Sequence, residues 1–193
     1  VLLSTQTITF FGEPASAPPG SVSGKTFEGG SFTVTATSDS SLDPIIAVGS
    51  GPAVISSQSG GTATVTLTGA GSVTLTANQP GNGTFSPAAE VVRTFAAGKA
   101  SQTITFDAPA SAGEADPPLT LSATASSGLP VSFAVTSGPG VINGGNQLTL
   151  TGSGTVTIEA TQAGDENYLA APSVTASILV EPAETGDVWT DRT

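Results

Sequence analysis

The sequence contains no cysteine, no histidine and no methionine. Without cysteine there is no disulfide framework, no thiolate metal site and no thiol nucleophile. Without histidine there is no Ser–His–Asp triad and no imidazole acid–base pair. Charge is scarce too: only 10% of residues are charged, and 15 acids against 4 bases leave a net charge of −11. Such a surface repels polyphosphates and anionic headgroups, so the expectation is no nucleic acid partner and no membrane-surface binding. No apolar run reaches the ~20 residues that span a bilayer, so no membrane insertion is expected. Aromatic residues make up 5% of the chain, with one Trp and one Tyr. They form no row of rings of the kind that stacks on sugars.

What is present is Gly, Pro, Thr, Ser, Val and Ala. The 24 glycines and 14 prolines predict many turns, and the β-branched residues predict strands. The hydrophobic fraction of 37% with so little charge argues for a folded chain. The chain also repeats itself. "TQTITF" at 5–10 returns as "SQTITF" at 101–106, "FTVTATS" at 32–38 as "LTLSATA" at 119–125, and "SGPAVIS" at 50–56 as "SGPGVIN" at 137–143. "TVTLTGAGSVTLTANQPG" at 64–81 returns as "QLTLTGSGTVTIEATQAG" at 147–164. The offset shrinks from 96 to 87 to 83 residues, which puts insertions in the first copy between Phe10 and Phe32 and near 57–62. Surface loops are where such insertions are expected.

The repeated segments alternate with a period of two, as in Val65 and Leu67 against Thr64, Thr66 and Thr68. That is the pattern of half-buried strands, and no stretch sustains a helical period. "TGAGS" and "TGSGT" read as hairpin connectors. Strands are expected at 5–11, 32–38, 44–49, 53–56, 62–68, 72–78 and 90–96, with equivalents in the second copy. The expected fold is all-β, two tandem antiparallel β-sandwiches of about seven strands each. The domains are placed at 1–97 and 98–181, with 182–193 an acidic tail or linker to a further domain. The first copy carries five acids against two bases and the remainder ten against two, so the acidity concentrates in the second part. The chain starts at Val1 with no basic-then-apolar leader, and reads as a piece of something longer.

The order "QTITF", "LTLSATASSGLPVSFAVTSGPGVI", "LTLTGSGTVTIEATQAGDENYLAAPSV" resembles the bacterial Ig-like repeats found in tandem in large secreted and surface proteins, and within them the MBG class. In the first copy "DSSLDPIIAV" replaces "SSGLPVSFAV". The resemblance implies Ig-like sandwiches, a secreted or cell-surface location, and work as spacers or adhesive modules without shared catalytic residues. Three functions follow as expectations: a structural stalk, an adhesin or glycan-binding module using its loops, and accessory domains of a secreted polysaccharide hydrolase. Partners would be neighbouring domains of the longer chain, with a glycan or a surface protein under the second reading.

No cofactor is implied, and no catalytic residue is assigned. Calcium is the one candidate ion, because hard cations need converging oxygen ligands. "GDENY" places Asp165, Glu166 and Asn167 in one loop, whereas the first-copy loop "GNGTF" has no carboxylate. Asp107, Glu114 and Asp116 form a looser acidic group after the first strand of copy two. The plainer reading of all these is a solvated acidic loop. Lys25 and Lys99 are isopeptide candidates in principle, but neither falls on a core-facing strand position. Phe10 and Phe106, and Phe85 and Tyr168, recur between copies and are expected to plug the cores. Trp189 stands alone in the tail. The prolines of 12–26 suit a segment that blunts a strand edge.

Overall fold

The computed structural model describes residues 2–11 and 22–183. Most of the proline-rich insertion (12–21) and the tail from 184, including Trp189, lie outside the described residues. The described residues are all strand, turn and loop, without a helix. They contain no helix long and apolar enough to cross a membrane. The chain divides into two compact units. The first is Val1–Ala100 with Asp165–Tyr168, and the second is Ser101–Gly164 with Leu169–Thr193.

Among the described residues of the first unit, seven strands form two sheets. Strands β1 (Ile8–Phe11), β2 (Phe32–Ser38), β5 (Thr62–Leu67) and β4 (Ala53–Ser59) make one, in that spatial order. Strands β3 (Ile45–Ser50), β6 (Gly71–Asn78) and β7 (Val91–Ala97) make the other. With strands lettered in chain order, these sheets are ABED and CFG, the arrangement of a constant-type immunoglobulin sandwich. Alternation puts one face of each sheet inside. In β5, Ala63, Val65 and Leu67 are buried while the intervening threonines are only partly covered. The core collects Phe10, Phe32, Val34, Val65, Val73, Leu75 and Phe95. Phe32 and Phe95 meet edge to face, with ring centroids 5.8 Å apart.

The described residues of the second unit form nine strands: β8 (Ile104–Phe106), β9 (Ser111–Gly113), β10 (Leu119–Thr120), β11 (Ala123–Ala125), β12 (Ser132–Ser137), β13 (Gly140–Asn143), β14 (Gln147–Leu150), β15 (Gly154–Thr161) and β16 (Val174–Glu181). The same lettering holds, with two departures from the seven antiparallel strands expected. The second strand of the sandwich is broken at Leu121–Ser122, so β11 pairs with β8 while β10 pairs with β14. Leu121 turns inward at the break and is buried. The other departure is β9, which pairs parallel with β16. Its first-unit counterpart is a single parallel bridge, Thr26 to Gly98. The insertion therefore ends by covering part of the edge beyond β7, with Phe27 N donating to Gly98 O at 2.9 Å. The core of this unit is Leu121, Leu148, Val156, Ile158, Ile178 and Val180.

The expected insertion near 57–62 is not a loop. It lengthens a hairpin: β4 and β5 run to a two-residue turn at Gly60 and Gly61, whereas β13 and β14 are shorter. Both turn glycines have positive φ, at 57° and 73°, as a twisted two-residue hairpin requires. A bulge between Ile55 and Ser57 absorbs the mismatch.

Candidate functional site

The geometry that recurs between the copies is polar and buried. Gln6, from the first "QTITF", is only 6% exposed and Gln102, from the second, 3%. Gln102 Nε2 donates to Gln162 Oε1 at 2.6 Å and to the carbonyl of Leu169 at 2.7 Å. Its Oε1 accepts from Ser127 Oγ at 2.5 Å. Gln6 repeats this arrangement, donating to Gln79 Oε1 at 3.0 Å and Ser86 O at 2.7 Å and accepting from Ser38 and Ser40. Each amide is satisfied at both ends, which is the condition for burying it. The partner glutamines are tied in turn, Gln162 by Gly164 N and Gln79 by Gly81 N. One side chain thus links the segment leading into the first strand to the turn at the end of the second and to the loop before the last strand. The recurrence of Gln was visible in the sequence; its burial and its partners were not.

A second shared element is the corner where the chain leaves one sheet for the other. "SGP" starts at the last residue of β3 and of β12, and each strand ends in a register shift there, between Val48 and Ser50 and between Val135 and Ser137. Gly51 and Gly138 hold φ of 95° and 90°. The prolines sit at the centre of three-residue turns, with Ala53 N donating to Gly51 O and Gly140 N to Gly138 O.

The calcium candidates belong to a third shared element. Asp165 Oδ1 accepts from the backbone N–H groups of Asn167 and Tyr168, both at 2.8 Å. Asn82 does the same in copy one, accepting from Thr84 and Phe85 at 2.8 and 2.9 Å. Both are Asx turns, closed by a backbone bond from residue 165 to 168 or 82 to 85. An aspartate and an asparagine therefore do one mechanical job. Asn167 points its Oδ1 at Ala70 N, 2.9 Å away within the first unit, and Glu166 is exposed. Asp165 and Asn167 thus each commit a side-chain oxygen to a backbone N–H. Asp165→Asn is expected to leave the melting temperature unchanged, and Asp165→Ala to lower it by roughly 2–6 °C. Calorimetry on the two variants checks this. A large loss with asparagine would contradict the equivalence.

The remaining candidates are apart. Asp116 accepts from Gly113 N at 2.7 Å and closes a local turn, while Glu114 N donates to Glu181 O. Among the described residues no three of His, Cys, Asp and Glu come together as a metal site would need. Lys25 lies 4.8 Å from the centroid of the Phe32 ring, and Lys99 Nζ donates to Asp165 O at 2.5 Å. The aromatic expectation holds for Phe10 but not for Phe85 and Tyr168, which are half-buried in loops. Tyr168 meets Phe27 edge to face at 5.6 Å and donates its hydroxyl to Glu28. That bond to a carboxylate, helped by the nearby negative charges, raises the phenol above its ordinary value near 10.

Asp39 shows the opposite shift. Its carboxylate accepts from Thr7 N at 2.9 Å and Thr7 Oγ1 at 2.7 Å, which lowers its pKa below the ordinary 3.8. A depressed carboxylate contributes stability above its unfolded pKa and loses it as pH falls through the folded one. The carboxyl carbon of Asp39, followed by NMR, should titrate at lower pH than a free aspartate. In Thr7→Ala, which keeps only the backbone donor, it should move part of the way back. An unshifted titration in the parent chain would refute the assignment.

No family model matches this chain, and no curated protein matches it. Among solved structures, the fibronectin(III)-like modules of CbhA from Clostridium thermocellum are similar, with 21% identity over 93% of this chain and 96% of that one, at a TM-score of 0.36. The D00–D0 domain of intimin is 19% identical over 88% of this chain and 98% of that one, at 0.31. The N-terminal part of the bacterial S-layer protein SbsC is 19% identical over 93% of this chain and 44% of that one, at 0.27. At these identities and scores the fold assignment rests on the strand order itself.

Proposed function

We propose that this chain is a non-catalytic structural module: two Ig-like sandwiches, of the MBG type, that act as a spacer or stalk in a bacterial protein secreted or displayed on the cell surface. The observation that carries this reading is what the two copies have in common. They repeat the glutamine pin, the "SGP" corner and the Asx turn, all of which hold backbone in place. They do not repeat their carboxylates or lysines. A pair that serves by its shape needs its struts twice, whereas a ligand site needs its chemistry only once. The acidic surface keeps copies apart in solution through like-charge repulsion. The partners in this reading are the neighbouring domains of the longer chain.

The test is an array of glycans and matrix proteins, probed with the purified chain in calcium and again in chelator. The expected result is no saturable binding in either buffer, and a melting temperature that is the same in both. Saturable binding to one ligand class would replace the stalk by an adhesin. Binding or stabilisation that disappears with chelator would return Asp165, Glu166 and Asn167 to the role of calcium ligands.

A further inference from the structure

The sequence holds two Asn–Gly pairs, Asn82–Gly83 and Asn143–Gly144. In such a pair the glycine nitrogen can approach the asparagine side-chain amide, because no Cβ stands in the way. We propose that Asn143 is a site of spontaneous deamidation in the folded chain, and that Asn82 is protected from the same reaction by its turn.

Asn143 is the last residue of β13 and is exposed. The hairpin tip is 144–146, and its two glycines hold φ of 58° and 88° with open space around both. A strand end of this kind opens at low free-energy cost. The side-chain nitrogen of Asn143 makes an exposed bond to Thr149 Oγ1, at 3.2 Å. In the reaction, the backbone nitrogen of Gly144 gives up its proton and bonds to Cγ of Asn143. The Cγ–Nδ2 bond breaks and the nitrogen leaves as ammonia. Water then opens the resulting succinimide. Attack at one carbonyl gives aspartate, and attack at the other gives an isoaspartyl link that adds a methylene to the main chain. Nothing is oxidised or reduced, and water is the only co-reactant.

Asn82 differs not in its glycine, which is equally open at Gly83, but in its tether. Its Oδ1 is held by two N–H groups at 2.8 and 2.9 Å, and its own N–H donates to Phe85 O at 3.0 Å. Attack requires the side chain and the backbone of the asparagine to rotate, and these three bonds oppose both rotations. The consequences differ as well. Aspartate at position 82 would cap the turn as Asp165 does, whereas an isoaspartyl link at 143 would shift the pairing of Asn143 with Gln147.

The experiment is to incubate the full chain at mildly alkaline pH, folded and in denaturant, and to map peptides by mass spectrometry over time. In the folded chain the Asn143 peptide is expected to gain the amide-to-acid mass several-fold faster than the Asn82 peptide. In denaturant the two rates should converge, since both have the same reactive pair. Asn143→Gln should abolish the change in its own peptide and leave the Asn82 rate unaltered. Equal rates in the folded chain, or faster conversion at Asn82, would overturn the proposal. So would an Asn143 that stays intact when folded while converting in denaturant.

Discussion

Gly138→Ala is expected to unfold the second unit under conditions where the parent is stable, or to leave it with only a small fraction of its free energy. Two effects add at this position. The backbone is at φ 90°, where an L side chain is strained, at a cost of about 1–3 kcal/mol. In addition, a Cβ there would sit 2.0 Å from the carbonyl oxygen of Thr155 and 2.8 Å from Cα of Val156. Both are backbone atoms of β15, which pairs with β16 from Gly154 to Ala160, so neither can swing aside as a side chain would. The clash is relieved only by unbending the corner, which moves the three-residue turn at Pro139 and the start of β13. The total loss should be about 4 kcal/mol or more, close to the whole stability of a small domain. Gly145→Ala is the control, because it has φ 88° and open space around it. It reports the strain alone. Denaturant melts of the two variants, with amide NMR signals assigned to the second unit, separate the effects. If Gly138→Ala falls within about 1 kcal/mol of Gly145→Ala, the close approach to β15 is not what selects glycine there. Gly51→Ala should behave likewise in the first unit, where the Cβ would lie 2.1 Å from Ser72 O.

Gln102→Leu should also be strongly destabilising, although leucine is apolar and of similar size. Gln102 is 3% exposed, and its loss strands the Leu169 carbonyl and one acceptor site on Gln162 and removes the partner of Ser127. These three bonds are part-buried, and a stranded group that water does not reach costs about 1–3 kcal/mol. Ser127 is half-buried and can recover a bond to water, so a total of about 3 kcal/mol is expected. A double-mutant cycle with Ser127→Ala gives the diagnostic. The serine substitution should cost less in the Gln102→Leu background than in the parent, because its partner is already gone. Strict additivity would show that the two side chains do not act through one bond. Gln102→Glu extends the test. At neutral pH it would bring a carboxylate oxygen against the Leu169 carbonyl, acceptor to acceptor. The resulting raised folded-state pKa means that stability improves on acidification and is lost as pH rises through it.

The strand pattern was legible in the sequence because sheet burial is local and periodic. "TVTLTG" declares which side of β5 is buried without reference to its neighbours, and the structure buries Ala63, Val65 and Leu67. The hairpins expected at "TGAGS" and "TGSGT" do not form: β5 and β6, like β14 and β15, lie in different sheets, and the sheet a strand joins is not written in its own alternation. The extra strand β9 was not, because "SAG" has no alternation to read and pairs only since β16 lies beside it. The insertion near 57–62 was misread as a loop because its serines and glutamine look like loop composition, while their pairing with β5 depends on register.

The candidate site divides the same way. By itself the sequence determined that there are two copies, that they are all-β, and that thiol and imidazole chemistry are excluded, since these follow from residue types and their spacing. Only the tertiary structure decided what Gln102, Gly138 and Asp165 are for. Gln102 meets Gln162 across 60 residues, and Gly138 is pressed against Thr155 by the bend between two sheets. Asp165 becomes recognisable as a turn cap once Asn82 is seen making the same two bonds in the other copy. Contacts of that kind are set by where the chain returns to, and no local pattern of residues encodes that return.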